Sequence, residues 1–260
     1  MIDFGLDESI DKRPTAKRLL VVAAHAGITT NMKKMSAKWE KDLGRLPYFH
    51  AKDLWEEDSS LYRGMSMRKR DQLLSKLVSH VHRYPKWGVI ASIDELDYNA
   101  RTTPRFRSQS GSAYTHAVIM ALLEFYFMLD REGLNKTPVN ILIEEGHKNG
   151  KQALAAIERI QSLPSPILNI KSYGFGKKEG HPILQSADAL AYGSLQKIKG
   201  SPDRIFKKLT STKRPVYRHV DCGKRLDSML SGYAEYVARL HEENRRKHFA
   251  KTDSAILLMT

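Results

Sequence analysis

Short apolar runs, spaced by segments of helical periodicity, limit this chain to an α/β fold. Leu19–Ala24 (LLVVAA), Trp87–Ile93 (WGVIASI) and Val139–Ile143 (VNILI) are brief, rich in β-branched residues and almost free of charge. Such runs suit strands covered on both faces. Met1–Leu6 and Ile167–Tyr173 add two further strand expectations. Helices are expected at Met32–Leu43, Met67–Tyr84, Tyr114–Leu129, Lys151–Leu163 and Ile183–Lys197. In Met67–Tyr84, Leu73, Leu74, Leu77, Val78 and Val81 recur at helical spacing, and Pro85 ends the run. Tyr114–Leu129 is apolar almost all round, so a buried helix is expected, too short for a comfortable membrane span. Alternating strands and helices predict a mixed sheet with helices around it. Pro47–Ser66 has no readable periodicity and stands as an insertion: a lid, a dimer contact or a substrate guide.

Charge narrows the function classes. The 260 residues carry 43 Lys and Arg against 29 Asp and Glu, a net +14. Such an excess favours a polyanionic partner, nucleic acid first. From Lys197 to Arg225 there are ten basic and two acidic residues. The expected division is therefore a core over residues 1–200 and a basic helical C-terminal extension over 201–260, with a last helix from Arg225 to His248. Lys207, Lys208 and Arg214 of this extension are candidate phosphate contacts. No run is long and apolar enough for a transmembrane helix, and MIDFGLDESIDKR lacks the order of a secretory signal. A single cysteine, Cys222, permits neither an internal disulfide nor a cysteine zinc site, and a cytoplasmic setting is expected. No Walker motif, nucleophile elbow or zinc-finger spacing is present.

Acidic residues occupy positions that a core would not choose. Asp7 follows the first strand, and Glu144 and Glu145 follow the strand VNILI. Strand ends in α/β sheets open onto the ligand crevice. Alternation lets only one of Glu144 and Glu145 face it. Asp188 shares an apolar helix face with Leu184, Ala191 and Leu195. A buried carboxylate there requires an arginine or lysine partner, a proton or a metal ion. Ala187, Ala191 and Gly193 are small enough to let that helix approach the sheet. Three carboxylates in one crevice form a hard, oxygen-only site that suits Mg²⁺ or Mn²⁺, and two such ions can act on a phosphodiester. Beside the site, His147 is a candidate for proton transfer or water orientation, and Lys148, Lys177 and Lys178 for phosphate contact. Gln185, one turn before Asp188, is placed to bond a ligand or the backbone.

Together, D-E-S after the first strand, E-x-G-H-K-N (Glu144–Asn149) and L-Q-x-A-D-x-L-A (Leu184–Ala191) resemble the domain-of-unknown-function 3800 family of the ribonuclease H-like superfamily. The resemblance covers roughly residues 1–200. It implies a mixed five-stranded sheet with helices on both faces, and acids on strand one, strand four and a late helix: Asp7, Glu144 and Asp188. Ile10 stands where the family has glycine, and Glu124 is the nearest candidate for the fourth acid of a classical ribonuclease H. The expected activity is a divalent-metal-dependent nuclease. The alternative is a non-catalytic module binding nucleic acid or protein, associated with phage defence or mobile elements.

Overall fold

A computed structural model describes residues 1–226 except 12, 14–16, 163–167 and 202–203. One compact unit spans Met1–Cys222. The expected last helix lies largely outside the described residues.

The elements run β1 (Ile2–Ile10), β2 (Leu19–Ile28), α1 (Thr29–Leu43), a 3₁₀ turn (Lys52–Trp55), α2 (Met67–Arg83), β3 (Trp87–Asp94), α3 (Glu95–Arg101), α4 (Pro104–Ser110), α5 (Ala113–Arg131), β4 (Val139–Glu144), α6 (Gly150–Gln161), β5 (Ile170–Gly176), α7 (Pro182–Ile198), α8 (Arg204–Leu209) and β6 (Val216–Asp221). The strands form one sheet in the order β5-β4-β1-β2-β3-β6. β2 runs antiparallel to both its neighbours, β1 and β3, while β4 joins β1, β5 joins β4 and β6 joins β3 in parallel. The fold is thus mixed α/β, as the residue pattern implies, with helices on both faces, as the family resemblance implies. It has six strands rather than the expected five, because Val216–Asp221 of the basic segment pairs with β3. The sheet thus draws a strand from beyond the expected boundary at residue 200.

Strand alternation sorts β1 between two layers. Phe4 faces α5, its ring 4.8 Å from that of Phe125. Gly5 faces α7: a Cβ placed there would lie 2.5 Å from the Ile183 side chain. The close approach of α7 therefore rests on a missing side chain in the strand as well as on the small residues of the helix. By the same alternation Asp7 shares the α7 side with Gly5. β1 also runs further than expected. It stays paired with β2 as far as Ile10↔Leu20, but its ladder with β4 stops at Leu6↔Ile143. Asp7 and Glu8 are consequently strand residues at the point where β1 and β4 part, which opens a crevice beside them.

The segment at 47–66 is part of the core. Phe49, Ala51, Leu54 and Tyr62 are fully buried and pack in one cluster with Trp39 of α1, Leu74 and Leu77 of α2, and Leu190 of α7. Its irregular backbone is held by a buried cation. The Arg70 guanidinium donates to the carbonyls of Leu54, Glu56, Tyr62 and Met65 at 2.7–3.1 Å, and lies over the Tyr62 ring. No periodic hydrophobic pattern announces such a segment, because its backbone polar groups are satisfied by a side chain rather than by a ladder. Replacing Arg70 by Met should leave these carbonyls unpaired and lower stability by on the order of 3 kcal/mol, whereas Lys, lacking the planar fork, should restore little of it. Urea unfolding of the two variants measures both effects.

Candidate active site

The three acids singled out in the sequence meet around one ammonium group. Lys178 Nζ lies 3.1 Å from Asp7 Oδ2, 3.2 Å from Glu144 Oε1 and 3.0 Å from Asp188 Oδ1. Asp7 comes from β1, Glu144 from the last position of β4 and Asp188 from the middle of α7. Lys178 lies in the loop between β5 and α7, and only about a tenth of its side chain is exposed. It was expected to contact phosphate from the surface; its ammonium instead fills the space between the carboxylates.

Two of the acids have a further tie. Asp7, fully buried, accepts from the Glu8 amide through Oδ1 at 2.6 Å. Its Oδ2 has the ammonium as an ion contact but no hydrogen bond of good geometry. Asp188 Oδ2 accepts from the Ala51 amide at 2.6 Å, and its Oδ1 lies 3.9 Å from His50 Nε2. The 47–66 segment therefore closes one side of the acidic cluster. Gln185 is buried and fully engaged. Its Oε1 accepts from Trp39 Nε1 and the Phe49 amide, both at 2.8 Å, and its Nε2 donates to the Lys178 carbonyl at 2.7 Å. Gln185 thus bonds protein groups and positions Lys178 and Phe49.

Excess acid leaves a visible electrostatic signature. Burial, a hydrogen bond with Glu144 and the nearby Asp188 charge hold the Asp7 carboxyl well above its usual range, against the pull of Lys178. Burial and the charge of Glu144 push Glu8 up to about 7. Burial works against the Lys178 charge, but Asp188, Asp7 and Glu144 outweigh it and keep the amine protonated far above neutral pH. Asp7, Glu8 and Glu144 each bring one carboxylate oxygen into a group whose members lie within 4.8 Å of one another.

The remaining candidates divide. Glu145 is exposed and pairs with Lys177 at 3.4 Å, so Glu144 alone of the two acids turns to the cluster. His147 stacks on Tyr114, ring centroids 3.7 Å apart. Its Nδ1 accepts from the Asn149 amide, and burial with the charge of Lys148 lowers it to about 4, so the ring is neutral at pH 7. Lys148, Lys52, Arg13, Arg18 and Lys199 share the walls of a cleft of about 960 Å³ with Glu8, Glu144, Lys178 and Asp188. Of these cations, Arg13 and Lys199 pair with Asp11, which also lines the cleft, Arg18 pairs with Glu95 and Lys52 lies 3.9 Å from Glu56. Lys207 and Arg214 are exposed and outside the lining of this cleft, and Lys208 is tied to Asp71 and Ser75 of α2. Glu124, the nearest match for a fourth acid, sits on α5 ten residues after Tyr114, about 15 Å along the helix axis. Tyr114 is the α5 residue at the cluster. Its hydroxyl is buried without a hydrogen-bond partner among the described residues, and its pKa is raised first by burial and then by Glu8, Asp7 and Glu144.

Sequence reasoning placed the acids but missed the parts played by Lys178, Tyr114, His50 and the Ala51 amide. A lysine between Gly176 and Gly180, just before a helix carrying a buried aspartate, was the available signal.

No family model and no curated protein matches this chain. Among solved structures, it is similar to a chain of the PCNA:RNase HII complex from Archaeoglobus fulgidus, with TM-score 0.37 and 13% identity over 91% of this chain and 90% of that one. It is also similar to Bst-RNase HIII in complex with Mn²⁺, with TM-score 0.39 and 12% identity over 82% of this chain and 63% of that one. At these scores the chemistry rests on the geometry of the site itself.

Glu8 makes a pH prediction. Its carboxyl is raised in the folded chain from about 4.5 to about 7, so the folded state binds the extra proton between those values. Its contribution to stability is full below about pH 4.5 and is lost as pH rises towards 7. With metal removed by chelator, the melting temperature should therefore fall across that window, and Glu8→Gln should flatten the decline and raise the melting temperature at pH 8. A Glu8→Gln profile parallel to the wild type's would refute this.

Proposed function

We propose that this chain is a divalent-metal-dependent nuclease that hydrolyses phosphodiester bonds of DNA or RNA. The observation that carries the reading is a carboxylate cluster with more negative charge than its internal lysine neutralises, set in the wall of a cleft that several basic side chains also line. The donor set suits a hard cation. All of its ligand atoms are oxygens, and Glu8 Oε2 and the Tyr114 hydroxyl are buried beside it with no hydrogen-bond partner among the described residues. Asp7, Glu8 and Glu144 would hold Mg²⁺ or Mn²⁺. Asp188 completes the cluster through Lys178 and the Ala51 amide. When bound, the ion supplies Lewis-acid charge next to a phosphate oxygen.

The chain's own residues do the rest. Exposed Lys148 and Lys52 line the approach to the acids, where cations hold a phosphate backbone whatever its sequence. Neutral His147, stacked on Tyr114, accepts from the Asn149 amide at Nδ1, so its Nε2 carries the hydrogen and is able to donate to and orient a water at the cleft wall. The core over residues 1–200 carries the chemistry in this reading, and Lys207, Arg214 and the basic extension beyond residue 200 add backbone contacts. Cys222, buried and in no disulfide among the described residues, suits a reducing cytoplasmic setting.

One observation favours a second reading. The ammonium already at the centre of the acids neutralises part of their charge, as it would in a purely structural cluster serving a module that binds nucleic acid or a protein partner in phage defence or a mobile element.

The test is cleavage of end-labelled DNA and RNA with Mg²⁺ or Mn²⁺. Asp7→Asn should lower the rate by roughly 100-fold or more, the scale on which a single electrostatic group in an active site acts. Retention of substrate in gel shifts with no cleavage under either ion would reject the nuclease and leave the binding module.

A further inference from the structure

A phosphodiesterase built on two divalent ions needs two cation positions about 3.5–4 Å apart among shared carboxylates. Here one position among the carboxylates is already filled by the protein. Lys178 Nζ is 3.0–3.2 Å from an oxygen of each of Asp7, Glu144 and Asp188. A Mg²⁺ ion sits about 2.0–2.1 Å from its oxygens, so ion and ammonium cannot occupy one centre.

The ammonium is also not free to withdraw. The Lys178 carbonyl accepts from Gln185 Nε2 at 2.7 Å and from the His181 amide at 3.1 Å. Gln185 is in turn locked by Trp39 and Phe49. The side chain is about nine-tenths buried between β1, β4 and α7. Swinging it out would strip three carboxylates of their partner and leave buried charge uncompensated. A second cation place remains beside it. Asp7, Glu8 and Glu144 offer oxygens within 4.8 Å of one another, and Glu8 Oε2 and the nine-tenths-buried Tyr114 hydroxyl stand there without hydrogen-bond partners among the described residues.

We propose that Lys178 is a built-in substitute for one of the two metal ions, so that the centre takes one divalent cation beside a fixed ammonium. This rests on the metal-dependent reading above and specifies its ion count. Lys178 is then a charge-supplying member of the site, and Gln185 is the positioning residue that keeps it there.

The experiment is a Mn²⁺ titration of the full chain into the millimolar range, by calorimetry and by electron paramagnetic resonance of the unbound ion, with no substrate present. The wild type should bind one ion per chain. Lys178→Met should bind two, because its side chain fills less space and leaves all carboxylates without a counter-charge. Lys178→Gln is the second variant should the first not fold, as read by circular dichroism, and should also bind two. Two ions on the wild type would overturn the inference and leave the nuclease reading standing, whatever the variants do. One ion on both the wild type and a folded variant would also overturn it. No binding by the wild type would remove the metal reading and this inference together.

Discussion

The ammonium of Lys178 is the interaction on which the centre of this molecule depends. β1, β4 and α7 each bring a carboxylate to one point, and three such charges cannot share a buried space without a cation or protons. The lysine supplies one charge, and burial with the neighbouring carboxylates raises the pKa of Asp7 and Glu8, which favours protons as the rest of the compensation. Burial of an ion pair carries a desolvation penalty of several kcal/mol per ion, so such a cluster is a poor way to stabilise a sheet. It lies where β1 and β4 separate, in the wall of a cleft that several basic side chains also line.

Much of the surrounding structure serves to hold that lysine and its acids still. Gln185 spans from the Lys178 carbonyl to Trp39 and Phe49, so one side chain links α7, α1 and the 47–66 segment. The same segment gives its Ala51 amide to Asp188. It is stiffened from behind by Arg70, whose guanidinium takes four carbonyls. A segment without helix or ladder thereby becomes part of the core, and part of the wall of the site. Buried donors and acceptors with full partners are costly to rearrange, which suits a centre needing fixed geometry.

The sheet was largely legible in the sequence because its central strands are buried on both faces and therefore read as continuous apolar runs. β6 was not. Val216–Asp221 (VYRHVD) is an edge strand with several exposed residues, so its pattern merges with the basic segment around it. Asp188 stood out because an acid in an apolar helix face demands a partner. Glu144 and Asp7 stood out by their place near the ends of apolar runs. Lys178 did not, since a lysine in a glycine-flanked loop reads as a solvated surface charge until the loop is seen to fold inward.

The order of residues alone determined an α/β chain, a basic net charge, two acids at the ends of apolar runs and a third, Asp188, whose burial had to be compensated. Periodicity and the cost of burying charge are local properties, and each can be read along the chain. Which cation compensates the acids, which strand closes the sheet and what covers Asp188 were decided only in three dimensions. Residues 7, 51, 144, 178 and 188 meet through strand register, the close approach of α7 at Gly5 and the inward course of two irregular segments. None of these leaves a period in the sequence, because contacts between distant irregular segments depend on packing rather than on local backbone preference.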